Sequence, residues 1–267
     1  MELKLNYYDE FQQLSSKQIF TDRNPQNWNL PLIKNAKICG DTTVYLHDIS
    51  AWNIPGETLI IDTERPPHTT DQSTRKLIRD FLRSQPCRDI FIRMMTDHLN
   101  ITQARPIVFG TFRVVPLNGT TRGSADWVFA HRLRNLYADP EDSRFSFLNF
   151  DDGKKSLQVH VPFTESMICS KLTKAQHISE LTYDLMQGFA DIFGMTVLKP
   201  KNEVSCQIDR RIQTKERPEL LPIDETLIDL AAHLFTIASE ILLDGPVIST
   251  KAAKKLLMDP AYDLWRL

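Results

Sequence analysis

Four basic residues recur at helical spacing between residues 75 and 83. Arg75, Arg79 and Arg83 stand at positions i, i+4 and i+8, and Lys76 lies beside the first of them. Residues at this spacing share one side of an α-helix, where like charges repel by a few tenths of a kcal/mol per pair. A bound anion offsets that cost, so the pattern favours a surface that contacts phosphates. The alternative is a basic surface that faces only water.

A helix is the element that must present these cations. Leu77, Ile78, Phe81 and Leu82 recur on its other side, which predicts an amphipathic helix over about residues 71–83. We expect the apolar side to pack on a core and the basic side to remain in solvent.

Arginine is concentrated in the middle of the chain. Between Arg65 and Arg134 there are eleven arginines and one lysine against five aspartates, a net charge of +7 in a chain whose total is −2. Guanidinium groups suit planar recognition of phosphates, base edges and narrow minor grooves better than ammonium groups do. The composition therefore favours nucleic acid as a partner of this region. The alternative is a set of solvated surfaces with local ion pairs.

A short polar loop, Asn118–Ser124, carries one further arginine. Its two glycines allow another backbone to approach closely, and Thr120, Thr121 and Ser124 can donate to phosphate oxygens. Arg122, in the middle of the loop, can enter a groove of DNA. The alternative is an exposed ion pair between Arg122 and Asp126, four residues further on.

The sequence contains none of the patterns that are typical of enzymes. Nucleophile-elbow, Walker, dinucleotide-binding, metalloprotease and calcium-loop motifs are absent, and the seven histidines are scattered. Ser124, Asp126 and His131 lie close in sequence, but a satisfied strand histidine and an edge carboxylate explain them more simply. We therefore predict no catalytic residue, no metal site and no cofactor.

The cysteines and the apolar segments bear on the compartment. The four cysteines are far apart and include no Cys-x-x-Cys pair, which is typical of free thiols in a reducing environment. The N-terminus has no apolar signal core, and no apolar run approaches the roughly 18 residues of a membrane span. We therefore expect a cytoplasmic protein that does not engage membranes.

Apolar patterning predicts a β-rich structure around the basic region. Asp-Gly at 152–153, between alternating runs, predicts a hairpin over Phe145–Val161. Helices are expected at 174–193, with Gly194 as the stop, and at 223–243. The predicted fold class is α+β, a β-rich core with antiparallel hairpins flanked by helices, followed by a helical C-terminal extension. Further strands are expected at 43–49, 57–61, 107–109, 112–115 and 127–129, and a turn-rich stretch at 65–70.

An ordered set of motifs runs through the central region. A Pro-Ile strand leads to a second proline, a Thr/Ser-rich loop, a Trp-hydrophobic pair and a histidine. These are Arg105-Pro106-Ile107-Val108, Val115-Pro116, Thr120–Ser124, Trp127-Val128 and His131. Together with the hairpin Phe145–Val161 and Ser73-Thr74-Arg75-Lys76, this order resembles the competence transcription factors of the ComK type. The match covers about residues 40–178 and is clearest over 105–162. The family has a glycine where this chain has Thr74.

The resemblance implies a function and partners. Proteins of this bacterial family activate DNA-uptake genes, bind A/T-rich boxes largely through the minor groove as oligomers, and are held in check by adaptor-mediated proteolysis. By resemblance, the expected partners are double-stranded DNA, RNA polymerase, an adaptor–protease system and further copies of this chain. The alternative is a protein-interaction or regulatory module that has lost DNA binding.

These observations predict a domain division and a DNA-binding surface. Residues 1–37 form an N-terminal extension, 38–178 the DNA-binding core, and 179–267 a helical C-terminal extension with a linker around 199–222. We assign Trp127 to the core beneath the loop. The predicted DNA-binding residues are Arg75, Lys76, Arg79, Arg83, Arg105, Thr120, Thr121, Arg122, Ser124, His131, Arg132 and Arg134.

Overall fold

A computed structural model of the protein describes part of the chain, and every structural statement below refers to that part. The predicted linker at 199–222 lies outside it, as do nearly all of the predicted helix at 223–243, the predicted turn at 152–153 and loop residues 120–123. The described residues are 2–7, 14–15, 30–52, 54–84, 92, 95–119, 124–151, 156–192, 194–198, 232, 249 and 251–252.

Strands dominate the described residues. Helix α1 is Thr74–Ser84, helix α2 is Glu165–Ile192, and a single 3-10 turn, Ala130–Arg132, joins β8 to β9. Strands β1 to β11 are, in chain order, Glu2–Tyr7, Leu14–Ser15, Thr43–Asp48, Thr58–Asp62, His68–Thr70, Ile107–Phe109, Phe112–Pro116, Trp127–Phe129, Leu133–Ala138, Ser146–Asp151 and Ser156–Val161.

Six strands form an antiparallel sheet in the order β5-β4-β3-β8-β7-β6. In the central strand β3, Leu46 pairs with Ile60 of β4 on one side and with Trp127 of β8 on the other. These three residues share one buried cluster, whereas their chain neighbours Tyr45 and Val128 belong to the cluster on the opposite face. Both faces of the sheet are therefore covered, and successive residues alternate between two cores.

Helix α1 covers one face of this sheet, and its apolar side explains why it packs there. Leu77 and Ile78 join the cluster of Leu46, Ile60 and Trp127. Burial of each such side chain contributes roughly 1.5–3 kcal/mol relative to exposure. The predicted helix over 71–83 is confirmed, with its start three residues later than expected.

A second sheet of five strands has the order β2-β1-β11-β10-β9. In its hairpin β10–β11, Phe147 pairs with His160 and Leu148 with Val159. The two strands of the predicted hairpin are therefore confirmed. The N-terminal strand β1 lies antiparallel to β11, so residues of the predicted N-terminal extension form part of this sheet.

Helix α2 packs in the core that both sheets share. Its buried residues Ile168, Leu172, Ala175 and Leu181 cluster with side chains of the six-stranded and the five-stranded sheet. The helix ends in a Schellman arrangement, in which Met195 N–H donates to Ala190 O at 2.8 Å. Gly194 has a φ of +66°, which confirms it as the predicted stop.

Three local predictions differ from the structure. The stretch expected to be turn-rich ends in strand β5, which was not predicted, and the segment after β8 continues into the unpredicted strand β9. Helix α2 begins at Glu165, nine residues before the expected start, and runs through residue 178, where we placed the end of the core. The overall α+β class, with antiparallel sheets and packed helices, is confirmed.

Candidate nucleic-acid interface

The outer side of α1 is basic. Arg75, Lys76, Arg79 and Arg83 are all exposed, while Leu77 lies on the buried side. The ion pair that the described residues show for these cations joins Arg79 Nε to Asp80 Oδ1 at 3.8 Å, with both side chains about half exposed. A pair of this kind is worth at most about 1 kcal/mol. The predicted separation of basic and apolar sides is therefore present. The cations on the basic side remain accessible to an external anion.

The first turn of α1 adds to this positive potential. Ser73 caps the helix, because its Oγ accepts from Lys76 N–H at 3.3 Å. The first turn contains no acidic residue, although acidic side chains are favoured at this positive end of the helix dipole. Arg75 and Lys76 stand there instead. An anion placed near this turn gains from the free N–H groups and from both side chains.

Thr74 ties the start of α1 to the end of the polar loop. Its side chain is fully buried, and its Oγ1 accepts from Ala125 N–H at 3.2 Å. Ser124, half-buried, directly precedes this anchor. The two predicted DNA-contacting elements are thus joined by a buried hydrogen bond. Thr120, Thr121 and Arg122 lie outside the described residues.

Asp126, the residue after Ala125, attaches the same end of the loop to the sheet. Its Oδ2 accepts from Tyr45 O–H and from His47 Nδ1, each at 2.9 Å, and its Oδ1 accepts from Asp48 N–H at 2.9 Å. Asn118 completes the anchor, because its Oδ1 accepts from Asp126 N–H at 2.7 Å. Both ends of the loop are therefore fixed to the six-stranded sheet.

The prediction that Asp126 is an edge carboxylate was wrong. The residue is only 3% exposed, because it leads into β8, which lies between β3 and β7 inside the sheet. Burial and the adjacent Asp126 carboxylate raise the pKa of the Tyr45 hydroxyl well above its ordinary value, so that Tyr45 remains a hydrogen-bond donor. Three donors occupy the carboxylate, and the alternative pairing with Arg122 falls on a residue outside the described part of the chain.

His131 has internal partners. Burial lowers the pKa of its imidazole below the ordinary value, and the neutral ring donates from Nε2 to Gly40 O at 2.8 Å. Its Nδ1 accepts from Arg113 N–H at 3.4 Å, and the ring lies 4.3 Å from the centre of Phe112. These contacts satisfy both ring nitrogens within the fold, but His131 lies in the 3-10 turn Ala130–Arg132 and not in a strand.

The remaining predicted residues lie on other elements than α1. Arg105 is paired with Asp97 at 2.8 Å. Arg132 is half-buried in the turn after β8, and Arg134 is exposed on β9, the edge strand of the five-stranded sheet. Trp127 is buried, as predicted for a residue beneath the loop. The structure therefore places the end of the loop, at Ala125, beside the start of α1, and leaves Arg134 on a different sheet.

Sequence reasoning missed two cations near α1. Lys34 and Lys37 are exposed in the segment before β3, whose backbone is hydrogen-bonded to the start of the helix. Their sequence context is polar and mixed, and it contains no periodic pattern that indicates a partner element. Only the tertiary contact between the segment and α1 shows that Lys34 and Lys37 extend the basic surface.

Comparisons of the chain with known protein families, curated proteins and solved structures find no match. In the part of the chain that the structure describes, no group of three acidic, histidine or cysteine side chains could hold a metal ion. No helix in that part is long and apolar enough to cross a membrane.

Proposed function

We propose that this protein is a DNA-binding transcription regulator that binds A/T-rich duplex sites. Its basic helix α1 contacts phosphates, and the loop Asn118–Ser124 reads the shape of the adjacent groove. By resemblance to the ComK type, the regulated genes are those of bacterial DNA uptake, and the protein acts in the cytoplasm as an oligomeric activator.

One observation carries the proposal, namely the hydrogen bond between Ala125 N–H and Thr74 Oγ1. It fixes the end of the loop at the start of a helix whose exposed side carries four cations and one aspartate. An enzyme site needs groups that converge on a substrate, whereas these charges spread outward along one helix. An outward basic face beside an anchored polar loop suits a long polyanion such as duplex DNA.

In this arrangement, helix α1 and the loop have different roles in DNA binding. Contacts between α1 and phosphates release counterions, so they give affinity without reading sequence. An arginine in a narrow A-tract minor groove gains from the enhanced negative potential there, whereas a G·C pair widens the groove and adds an amino group. We assign affinity to α1 and preference for A/T-rich DNA to the loop.

The direct test is binding of the full chain to A/T-rich and G/C-rich duplexes at two salt concentrations. The proposal expects binding that weakens steeply with salt and is tighter on A/T-rich DNA. Absence of binding at low salt contradicts it and favours the protein-interaction module.

Arg122→Ala tests the role of the loop. We expect a loss of roughly 1–3 kcal/mol on the A/T-rich duplex and little loss on mixed sequence, and Arg122→Lys should restore only part of it. Competition between the two duplexes measures the difference. Equal losses on both would reduce Arg122 to a general phosphate contact, and no loss on either would remove it from the interface.

A further inference from the structure

A segment before the first strand of the six-stranded sheet lies along the edge of that sheet. Leu32 forms a parallel bridge with Thr69 of β5, and Ile33 N–H donates to Thr69 O at 2.8 Å. Thr69 N–H in turn donates to Pro31 O at 3.0 Å. This part of the chain is therefore held in place by backbone hydrogen bonds.

The same segment is also fixed to the approach of α1. Asn35 N–H donates to the Asp71 carboxylate at 3.1 Å, and the buried Gln72 donates from Nε2 to Ala36 O at 3.2 Å. Asp71 and Gln72 directly precede the cap of α1. Residues 34–37 consequently keep a defined position beside the helix.

A groove of about 330 Å³ lies between this segment and α1. Its apolar residues, buried or partly buried, form a floor, and its exposed residues form two rims, with Lys37 on the segment and Lys76 on the helix facing the same space. Asp80 also lines the helix side. The apolar floor is made by Ala36, Ile38, Leu77 and Phe81.

The charges around the groove are unequal. Six exposed cations occupy the segment and the helix, against two exposed carboxylates, Asp71 and Asp80. The Asp71 carboxylate accepts Asn35 N–H, which is the main reason why its pKa is lowered, and Asp80 lies 3.8 Å from Arg79. Both acids therefore have local partners, and the surplus charge is positive. The six cations are Lys34, Lys37, Arg75, Lys76, Arg79 and Arg83.

We infer that the segment with Lys34 and Lys37 is the second wall of the DNA interface, and that one sugar–phosphate strand of the duplex lies along the groove. Lys37 and Lys76 contact phosphates from the two rims, and the apolar floor receives deoxyribose. This inference rests on the proposed function and assigns part of it to residues outside the predicted DNA-binding core.

Charge complementarity favours duplex DNA over an acidic peptide as the occupant. A peptide seated in the groove would engage the two rims and leave Arg75, Arg79 and Arg83, which do not line the groove, outside the contact. A duplex carries phosphates along both of its strands, so it can match the groove and the neighbouring arginine row at once. The two walls and the arginine row then form one continuous contact surface.

The test compares salt dependence in the full chain. Lys34→Gln with Lys37→Gln should flatten the slope of log K against log salt by roughly 0.9 for the phosphate contact of Lys37, and by as much again if Lys34, beside the groove, contacts a second phosphate. The loss should be the same on A/T-rich and G/C-rich duplexes. Lys34→Arg with Lys37→Arg keeps both charges and should keep the slope. Arg144→Gln with Lys174→Gln, which removes two cations from other surfaces, is the matched control and should leave the slope unchanged.

The outcomes separate this inference from the proposed function. If the wild-type chain shows steep salt dependence and the Gln pair leaves the slope unchanged, the inference is overturned and the proposed function stands. An equal flattening of the salt slope in the matched control also overturns the inference, because the effect then comes from the overall charge of the protein. A third outcome would also overturn the inference. If an acidic amphipathic peptide competes with DNA for the wild-type chain, and the Gln pair weakens binding of the peptide but not of DNA, the groove is a peptide site. Absence of DNA binding by the wild-type chain defeats the proposed function itself.

Discussion

Helices α1 and α2 cover opposite faces of the six-stranded sheet, yet they present different surfaces to solvent. Each buries an apolar row that the sheet requires. The exposed side of α1 adds four cations and one aspartate, whereas α2 carries two lysines and four acidic residues along its length. Packing explains the buried sides of both helices, but it does not require the excess of cations on α1.

The two helices therefore differ in exposed charges that the fold does not determine. Replacing exposed charges changes stability by little, generally within about 0.5 kcal/mol. In our proposal, phosphate contacts offset the repulsion between the like charges on this helix. The α2 surface carries charges of both signs and acts in our account as a structural element.

The largest expected effect separates stability from binding. Leu172→Ala removes a side chain of α2 that is 3% exposed in the shared core, and should lower the free energy of unfolding by about 2–5 kcal/mol. Urea unfolding measures this loss. The folded fraction should bind DNA with an unchanged salt slope. A flattened slope would mean that α2 also contributes to the DNA surface, and the contrast between the helices would fail.

A smaller effect is expected where the two elements of the interface meet. Thr74→Val keeps the shape of the buried side chain but leaves Ala125 N–H without its acceptor, at a cost of about 1–3 kcal/mol. Because this bond anchors the loop, preference for A/T-rich over G/C-rich duplex should also fall. Thr74→Ser retains the hydroxyl and should retain the preference. If both variants keep full preference, the anchor does not position the loop.

The smallest effect concerns pH and a residue that we place inside the fold. The lowered pKa of His131 means that the unfolded chain takes up a proton first as the pH falls. The contribution of neutral His131 to the free energy of unfolding is therefore complete above about pH 6.5 and is lost as the pH falls through the pKa of His131 in the folded state. The stability difference between the wild type and His131→Gln should narrow with acidification. A difference that is constant with pH would contradict this assignment.

Local patterns predicted most of the secondary structure because burial and periodicity agree there. The amphipathic pattern around Leu77 and the alternating residues of the hairpin Phe145–Val161 each indicated the correct element. Strand β5 was missed because Pro66 and Pro67 precede three polar residues, whose strand conformation is imposed by pairing with β4. The early start of α2 does have a local signal that we missed, because Thr164 caps the helix and Glu165 lies in its first turn.

The candidate site was only partly predictable for the same physical reason. Spacing alone placed Arg75, Arg79 and Arg83 on one exposed side of a helix. It could not reveal that Asp126 is a buried acceptor for Tyr45 and His47, because those residues are some 80 positions away in sequence. The contact of residues 34–37 with α1 is equally non-local. Tertiary contacts between distant segments, which no local pattern encodes, decide these points.

The central claim is that the outer side of α1 contacts DNA phosphates. The most direct measurement is the salt dependence of duplex binding by the triple variant Arg75→Gln, Arg79→Gln, Arg83→Gln against the triple control Arg144→Gln, Lys171→Gln, Lys174→Gln. The account predicts that the α1 variant, with its fold intact by circular dichroism, loses about 1 in log–log slope per contact and weakens on all sequences alike. The control should bind as the wild type does. An unchanged slope in the folded α1 variant would contradict the account.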